Sequence, residues 1–410
     1  MTTAENSPII LAFSGGLDTS FCVPWLRETY DRPVVTVCIN TGGLNETAAA
    51  ELRERALTLG AQDHVLVEAR QVFFDRVIKY LIAGNVRRGH LYPLCVGAER
   101  GIQAQLLAKV ATERGSTTVA HGCTAAGNDQ VRFEVGLRTI NPNLEILAPV
   151  RDQSFVRTEQ VKFLETAGLP VPAKGSEYSI NRGLWGASIG GKETLDSHDT
   201  IPEDAWVLSA GAMREPRDAE NHIIGFQQGV PVSLDDEAMD PVTLIETLEH
   251  KAGAFGIGRG IHLGDTVLGT KGRVAFEAPA ADVLLTAHRE LEKLTLSALQ
   301  IRVKDTVASV YGDFIHEGKQ LDAVCRDIEC LFTSSQKFVT GEVKLEFRPG
   351  SLFVEGVSSR YSLMAASKGV YGEAAGEWTP ADALGYSRIL SLTGMLQTRA
   401  AGQHETGPDK

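Results

Sequence analysis

Through the first 170 residues, short apolar β-branched runs alternate with longer stretches whose apolar residues recur every three or four positions. That rhythm predicts parallel strands joined by crossover helices. Strands are expected at Ile9 to Phe13, Val34 to Ile39, His64 to Val67, Thr117 to Ala120 and Glu145 to Leu147. Helices are expected over Glu46 to Leu59, Gln71 to Ala83 and Arg100 to Arg114. The expected fold is therefore α/β, with an N-terminal doubly wound parallel five-stranded sheet. The run Gly168-Leu169-Pro170-Val171-Pro172 ends the rhythm, because each proline pushes its predecessor out of helical geometry. The expected division is a first domain over 1–170, a second over 171–366 and a C-terminal arm over 367–410.

The second domain reads as α+β. It has irregular glycine-rich segments, one long helical stretch with Leu284, Ala287, Leu291, Leu294 and Ala298 on one face, and strands at Gly341 to Phe347 and Ser351 to Val357. A Gly/Ala-rich segment from Lys368 to Gly376 leads to Thr379-Pro380-Ala381-Asp382. An N-cap, a proline at the first helical position and an early acid start a helix there, over Ala383 to Gln397. A helix on such an arm suits docking on a neighbouring subunit, and equally a strut within its own chain. The last ten residues are expected to fray.

Composition narrows the class. With 43% hydrophobic and 22% charged residues, the chain is globular. Its 52 acidic residues outnumber 40 basic ones, for a net charge of −12, and no run of five Lys or Arg occurs, which argues against nucleic acid as a partner. Six scattered cysteines without a C-x-x-C pair read as reduced cytoplasmic thiols and not as a zinc site. Neither a signal peptide nor a membrane span is expected, since no basic region followed by an apolar run opens the sequence and no apolar run approaches bilayer length.

The sharpest motif is Ala12-Phe13-Ser14-Gly15-Gly16-Leu17-Asp18-Thr19-Ser20, between an expected strand and an expected helix. Two glycines and small hydroxyl residues let backbone N–H groups converge on an anion at a helix N-terminus. It lacks the Gly-Lys-Ser/Thr end of a Walker loop and is not the G-x-G-x-x-G of dinucleotide sites. The plainer alternative is a Gly-Ser turn capping a helix. The motif resembles the pyrophosphate loop of the ATP pyrophosphatases, which activate a substrate oxygen as its adenylate. Asp18 is then a candidate Mg²⁺ ligand, because one carboxylate plus phosphate oxygens is a normal magnesium environment. Thr2 in place of a cysteine after Met1 speaks against ammonia-generating amidotransferase relatives, as does the lack of a glutaminase-sized extra domain. The lack of paired cysteines and of a basic surface speaks against the tRNA-modifying branches.

A second motif, His121-Gly122-Cys123-Thr124-Ala125-Ala126-Gly127-Asn128-Asp129-Gln130-Val131-Arg132-Phe133-Glu134, follows the fourth expected strand. Together with Tyr178-Ser179-Ile180-Asn181, Leu184-Trp185-Gly186, Gly256-Ile257-Gly258-Arg259 and the C-terminal helix, it makes the chain resemble the argininosuccinate synthase family along nearly its whole length. The resemblance implies a ligase in which ATP adenylates the ureido oxygen of citrulline and the amine of L-aspartate displaces AMP. It implies ATP binding by Ala12, Ser14, Gly15, Gly16, Asp18, Thr19, Ser20 and Gly122, and aspartate binding by Thr124, Asn128 and Asp129. It implies acceptor binding at the positions of Tyr92, Gly97, Asn128, Arg132, Ser179, Ser188, Gly264 and Phe276, with Asp18, Asp129 and Arg132 closest to the chemistry. Read without the resemblance, Thr124, Asn128 and Asp129 could equally cap a helix, and Arg132 could pair with Glu134 at the surface. His121 is assigned no role.

Several positions depart from the family pattern. Gly97 stands for a serine, Val96 for a threonine, Gly264 for a glutamate, Phe276 for a tyrosine and Ala126 for a lysine, and Ser188-Ile189-Gly190-Gly191 has lost a glutamate unless the alignment slips by one residue. An ammonium left without partners in a closed site costs several kcal/mol. Two readings follow: an acceptor that lacks citrulline's α-ammonium or is bulkier, still offering a ureido, carbamoyl, amide or carboxyl oxygen to adenylate, or compensation from the second domain in an ordinary argininosuccinate synthase. A catalytically silent ATP-binding regulatory paralogue is the reading from another class. Lys192 is a candidate replacement for the missing lysine. The resemblance also implies a homotetramer with exchanged C-terminal helices and a fumarate-releasing lyase downstream.

Overall fold

The computed structural model describes residues 7–172, 178–373 and 375–405, so Thr2 and residues 406–410 of the tail lie outside the described residues. The chain divides into two compact units, up to Arg360 and from Tyr361 onward.

The first unit opens with the five-stranded sheet. Strands β1 (Ile9–Ala12), β2 (Val34–Asn40), β3 (Asp63–Glu68), β4 (Thr118–Ala120) and β5 (Glu145–Leu147) lie in the order β3-β2-β1-β4-β5, all parallel. Strand side chains alternate between faces. Ile9, Leu11 and Phe13 therefore pack with Phe21, Leu26, Leu52 and Leu164 on one side, and Ile10, Val35 and Val37 with Leu107, Val110 and Leu137 on the other. The order reverses between β1 and β4, and the carboxyl ends of strands at such a switch point are where open α/β sheets bind ligands. The helix expected over Gln71 to Ala83 forms from Arg70 to Gly84, with a π-helical turn at Phe74–Ile78.

The rest of this unit is two antiparallel sheets and long helices. Strands β6 (Ser179–Gly183), β7 (Gly186–Gly190), β11 (Arg259–Asp265) and β12 (Lys271–Glu277) form a four-stranded sheet in the order β11-β12-β7-β6. Strands β8 (Glu220–Gln227), β9 (Val230–Leu234), β10 (Glu237–Ala238), β13 (Gly341–Arg348) and β14 (Ser351–Ser358) form a second sheet, in the order β10-β9-β8-β13-β14. Helices Pro241–Gly253, Pro279–Thr295, Ala298–His316 and Ala323–Ser335 complete the largest core.

One expectation is corrected here. The long helical stretch does not run through Ala298: the chain turns extended at Leu296 (ψ 149°), and Ser297 caps a new helix. The Ser297 hydroxyl accepts from the Gln300 amide at 3.3 Å while the Gln300 side chain accepts from the Ser297 amide at 3.0 Å, a reciprocal box that halts one helix and starts the next.

In the second unit, the helix Pro380–Glu405 is longer at its C-terminal end than the expected Ala383 to Gln397. Thr379 and Asp382 form the N-terminal box: the Thr379 amide donates to Asp382 at 2.9 Å and the Asp382 amide to the Thr379 hydroxyl at 3.3 Å. Tyr386, Ile389 and Leu390 are about two-thirds exposed within this unit.

Candidate active site

The nucleotide loop is shaped by backbone. Gly15 adopts φ +74°, a conformation L side chains avoid, and Gly16 is extended directly before the helix Leu17–Tyr30. No side chain caps that helix, so its first N–H groups stay open. Arg55 fixes the turn by donating to the Gly15 carbonyl at 2.8 Å. The Thr19 hydroxyl donates to the Gly16 carbonyl at 3.3 Å and lies 3.4 Å from the Ser14 amide. Ser14 and Gly16 are exposed, whereas Ser20 is fully buried and donates to the Gly15 carbonyl at 3.4 Å, which makes it a shaper of the loop. Gly122, just beyond β4, lies against the helix start: a Cβ there would sit 3.1 Å from the Thr19 nitrogen.

From Gly122 the chain runs through exposed Thr124 and Ala126 into the helix Asn128–Ile140, whose N-cap is Gly127 with no side-chain cap. The side chains expected there therefore reach elsewhere. Asn128 accepts from the Val267 amide in the β11–β12 turn at 2.8 Å. Asp129 lies between two guanidiniums, Arg100 at 3.0 Å and Arg132 at 2.8 Å. Burial alone would raise the Asp129 carboxyl, but the charges of Arg100 and Arg132 overcome it and hold the group below the usual carboxylate range. Arg132, 7% exposed, also donates to the His316 carbonyl at 2.8 Å, while Glu134 takes Arg138 and Arg151 instead. Gly97 makes room for this guanidinium, since a Cβ there would be 3.2 Å from Arg132 Nη2.

The remaining acceptor candidates fall on one face of the four-stranded sheet. Gly264 on β11 and Phe276 on β12 share that face with Ser188 on β7 and Ser179 on β6, in register through the pairs Gly260–Phe276, Phe276–Ser188 and Ser179–Gly190. The Tyr92 ring stands against Phe276 at 5.1 Å and stacks on His262 at 5.5 Å, and burial pushes its hydroxyl up so that it stays protonated. Arg100 ties this face to the aspartate end, donating to Asn181 on β6 at 3.4 Å. The tip of the β6–β7 hairpin meets the end of β2, where the Leu184 amide donates to the Thr41 carbonyl at 2.9 Å. A cavity of about 570 Å³ between the 84–90 segment and two helices contains none of the nucleotide-loop residues, but Arg88 and Asp313 line it.

Some of the site escaped the sequence. Arg88, Glu99, Arg100, His262 and His316 reach it from four separate segments outside the motifs, and Asn181 joins them from the Tyr178–Asn181 motif, where it was not singled out. The one available signal was strand periodicity, which places His262 on the same face as Gly264. His121 is structural: it stacks on Phe133 at 5.7 Å and accepts from the Cys123 amide at 3.3 Å, with burial lowering it to about 4. Lys192 places its ammonium 5.6 Å over the Tyr178 ring.

Known proteins bear on this geometry. Residues 8–170 match the family model described as the arginosuccinate synthase N-terminal HUP domain, and residues 178–397 match the arginosuccinate synthase C-terminal domain. An argininosuccinate synthase of Dehalococcoides mccartyi is 37% identical over 397 residues, covering 96% of this chain and 97% of that protein. The one from Symbiobacterium thermophilum is 38% identical over 366 residues, covering 89% and 91%. The one from Methanocaldococcus jannaschii is 37% identical over 358 residues, covering 86% and 89%. Among solved structures, an NH3-dependent NAD synthetase from Campylobacter jejuni covers 41% of this chain and 66% of its own at 14% identity and a TM-score of 0.28, too faint a likeness to carry weight. Two family models that leave few residues between them, and relatives matched end to end, place this chain in the argininosuccinate synthase family of ligases.

Proposed function

We propose that this enzyme uses ATP to adenylate a ureido- or carbamoyl-type oxygen of citrulline or a related acceptor and then joins L-aspartate to the activated carbon. The acceptor oxygen attacks the α-phosphorus and pyrophosphate leaves. The aspartate ammonium gives up a proton, its nitrogen adds to the acceptor carbon, and AMP departs carrying the acceptor's oxygen.

The observation that supports this reading is an unbroken run of contacts at the carboxyl end of the parallel sheet. Gly122 abuts the nucleotide loop, Asn128 and Asp129 follow in the same segment, Asp129 meets Arg100, and Arg100 meets the acceptor face at Asn181. Bringing three substrates into line this way can supply roughly 7–11 kcal/mol of the barrier. Asp129, held ionised by two guanidiniums, orients the aspartate ammonium and is a poor base for its proton. Thr124 and Asn128 serve the aspartate carboxylates, and Arg132 meets the acceptor's polarised oxygen. Asp18 lies half-buried in the first turn after the loop, which suits a carboxylate that would hold Mg²⁺ together with phosphate oxygens, and a magnesium held there would supply positive charge for the pyrophosphate leaving group.

The silent, ATP-binding reading draws its support from Ala126, exposed where the family carries a lysine. One assay separates the two: AMP release with ATP, Mg²⁺, L-aspartate and a series of carbamoyl acceptors. Release that requires both aspartate and acceptor is expected. ATP binding without AMP from any acceptor refutes the ligase reading. Unpaired cysteines fit a cytoplasmic setting, and no described helix is long and apolar enough to cross a membrane. The exposed apolar side chains of Pro380–Glu405 fit docking on other copies in a homotetramer, and a fumarate-releasing lyase would process the product.

A further inference from the structure

The acceptor face ends on a guanidinium where the family pattern has a carboxylate. A Cβ on Gly264 would lie 2.5 Å from His262 Nε2 and 3.3 Å from Arg88 Nη1, so the place a side chain would take at 264 is already held by two basic residues. Arg88 Nη1 lies 3.4 Å from His262 Nε2, and because a guanidinium only donates, that nitrogen carries the lone pair and the imidazole is neutral. Burial, then the charge of Arg88, lower the His262 pKa in the same sense. Tyr92, itself on the acceptor face, stacks on the same imidazole and is bridged to Arg88 through the backbone, with N···O distances of 2.7 and 3.0 Å.

Arg88 is poorly neutralised. Its side chain is 18% exposed, its Nε is buried without a hydrogen-bond partner, and the carboxylate nearest it, Asp313, lies 3.7 Å away on a side chain 58% exposed. Arg100 and Arg132, by contrast, share Asp129. Another carboxylate that feels Arg88, Asp265 on the opposite face of β11, pairs with Lys271 at 2.5 Å. An ammonium at the Gly264 end would therefore face this cation without a carboxylate on its own face of the sheet among the described residues. An anion there would meet a guanidinium with free N–H groups. Gly190 on β7 and Gly264 on β11 themselves add no side chain to this part of the face.

We propose that the acceptor is a carboxylate-bearing ureido or carbamoyl compound that lacks an α-ammonium, with its carboxylate seated on Arg88 beside His262. This rests on the ligase reading above and specifies its substrate.

The test compares citrulline with 5-ureidopentanoate, which differs only by lacking the amino group, and with 5-ureidopentanamide, which lacks the charge. With ATP, Mg²⁺ and L-aspartate, kcat/KM for AMP release is expected to be at least tenfold higher for 5-ureidopentanoate than for citrulline. Arg88→Gln should remove at least tenfold of that through KM, with kcat little changed and the amide unaffected, while Arg88→Lys retains part of the preference. Thermal melts of both variants check that they fold. Citrulline matching or exceeding the ureido acid overturns the proposal, as does an equal loss on acid and amide. Calorimetric titration with a non-hydrolysable ATP analogue separates the two readings: Arg88-dependent binding of the ureido acid without turnover refutes ligation but keeps the anion site. Absence of that binding refutes the site.

Discussion

Glu99 offers the most quantitative test of the site's electrostatics. It is 2% exposed and adjoins Arg100, whose guanidinium lies 3.7 Å away. One carboxyl oxygen accepts from the Thr41 hydroxyl at 2.7 Å and from Gln103 at 3.3 Å, and the other has no partner. A Cβ on Gly183 would lie 1.6 Å from that second oxygen, so the hairpin tip leaves it no room for water. Burial pushes the group from 4.5 up to about 7, against the pull of Arg100 and Thr41. Because the folded pKa is above the unfolded one, the native state binds this proton more tightly. The associated stability is fully present below about pH 4.5 and is lost as pH rises through about 7. The difference between the two values corresponds to about 3 kcal/mol. Glu99→Gln keeps both hydrogen bonds and removes the titration. Urea unfolding of wild type and variant at pH 5 and pH 8.5 should show the variant gaining about 3 kcal/mol relative to wild type at the higher pH. Glu249, also raised to about 7 by burial, titrates in both proteins and cancels in the comparison. A difference between the two proteins that stays constant within about 0.5 kcal/mol across that range would refute the assignment of a neutral, buried Glu99.

Two further outcomes are expected. Gly15→Ala forces an L residue into φ +74° and places its Cβ 2.5 Å from Leu52 Cδ1, costing about 1–2 kcal/mol from the backbone alone. KM for ATP should rise about tenfold, and an unchanged KM would place the nucleotide elsewhere. Lys304→Met strips the fully buried Glu292 of an ammonium at 3.0 Å and should lower unfolding free energy by about 3–5 kcal/mol, most of it recovered in a Lys304→Met/Glu292→Leu double variant. A single variant as stable as wild type would show that Glu292 takes up a proton instead.

The shape of the Ser14–Ser20 loop was legible because it is local: a strand, two glycines and a helix start occupy neighbouring positions, and Gly15 adopts the positive φ that only glycine takes readily. The Thr124–Asp129 segment stood out for the same reason, and its helix-capping alternative fell when Gly127 proved to be the N-cap, with no side chain capping the helix. Alternating apolar runs specified the parallel sheet. Periodicity also misled once, carrying one helix through Ser297, whose side chain prefers to cap the next.

The sequence by itself determined the parallel sheet, the strand–loop–helix turn at Ser14–Ser20 and family membership, because each rests on contiguous residues or on long motifs in order. Only the tertiary structure decided which residues meet across the four-stranded sheet's face and the segments around it. The Arg88–His262 pair and the Glu99–Arg100–Asp129–Arg132 chain join residues distant in sequence. Burial and neighbouring charges set the protonation of His262, Glu99 and Asp129, and neither can be read along the chain.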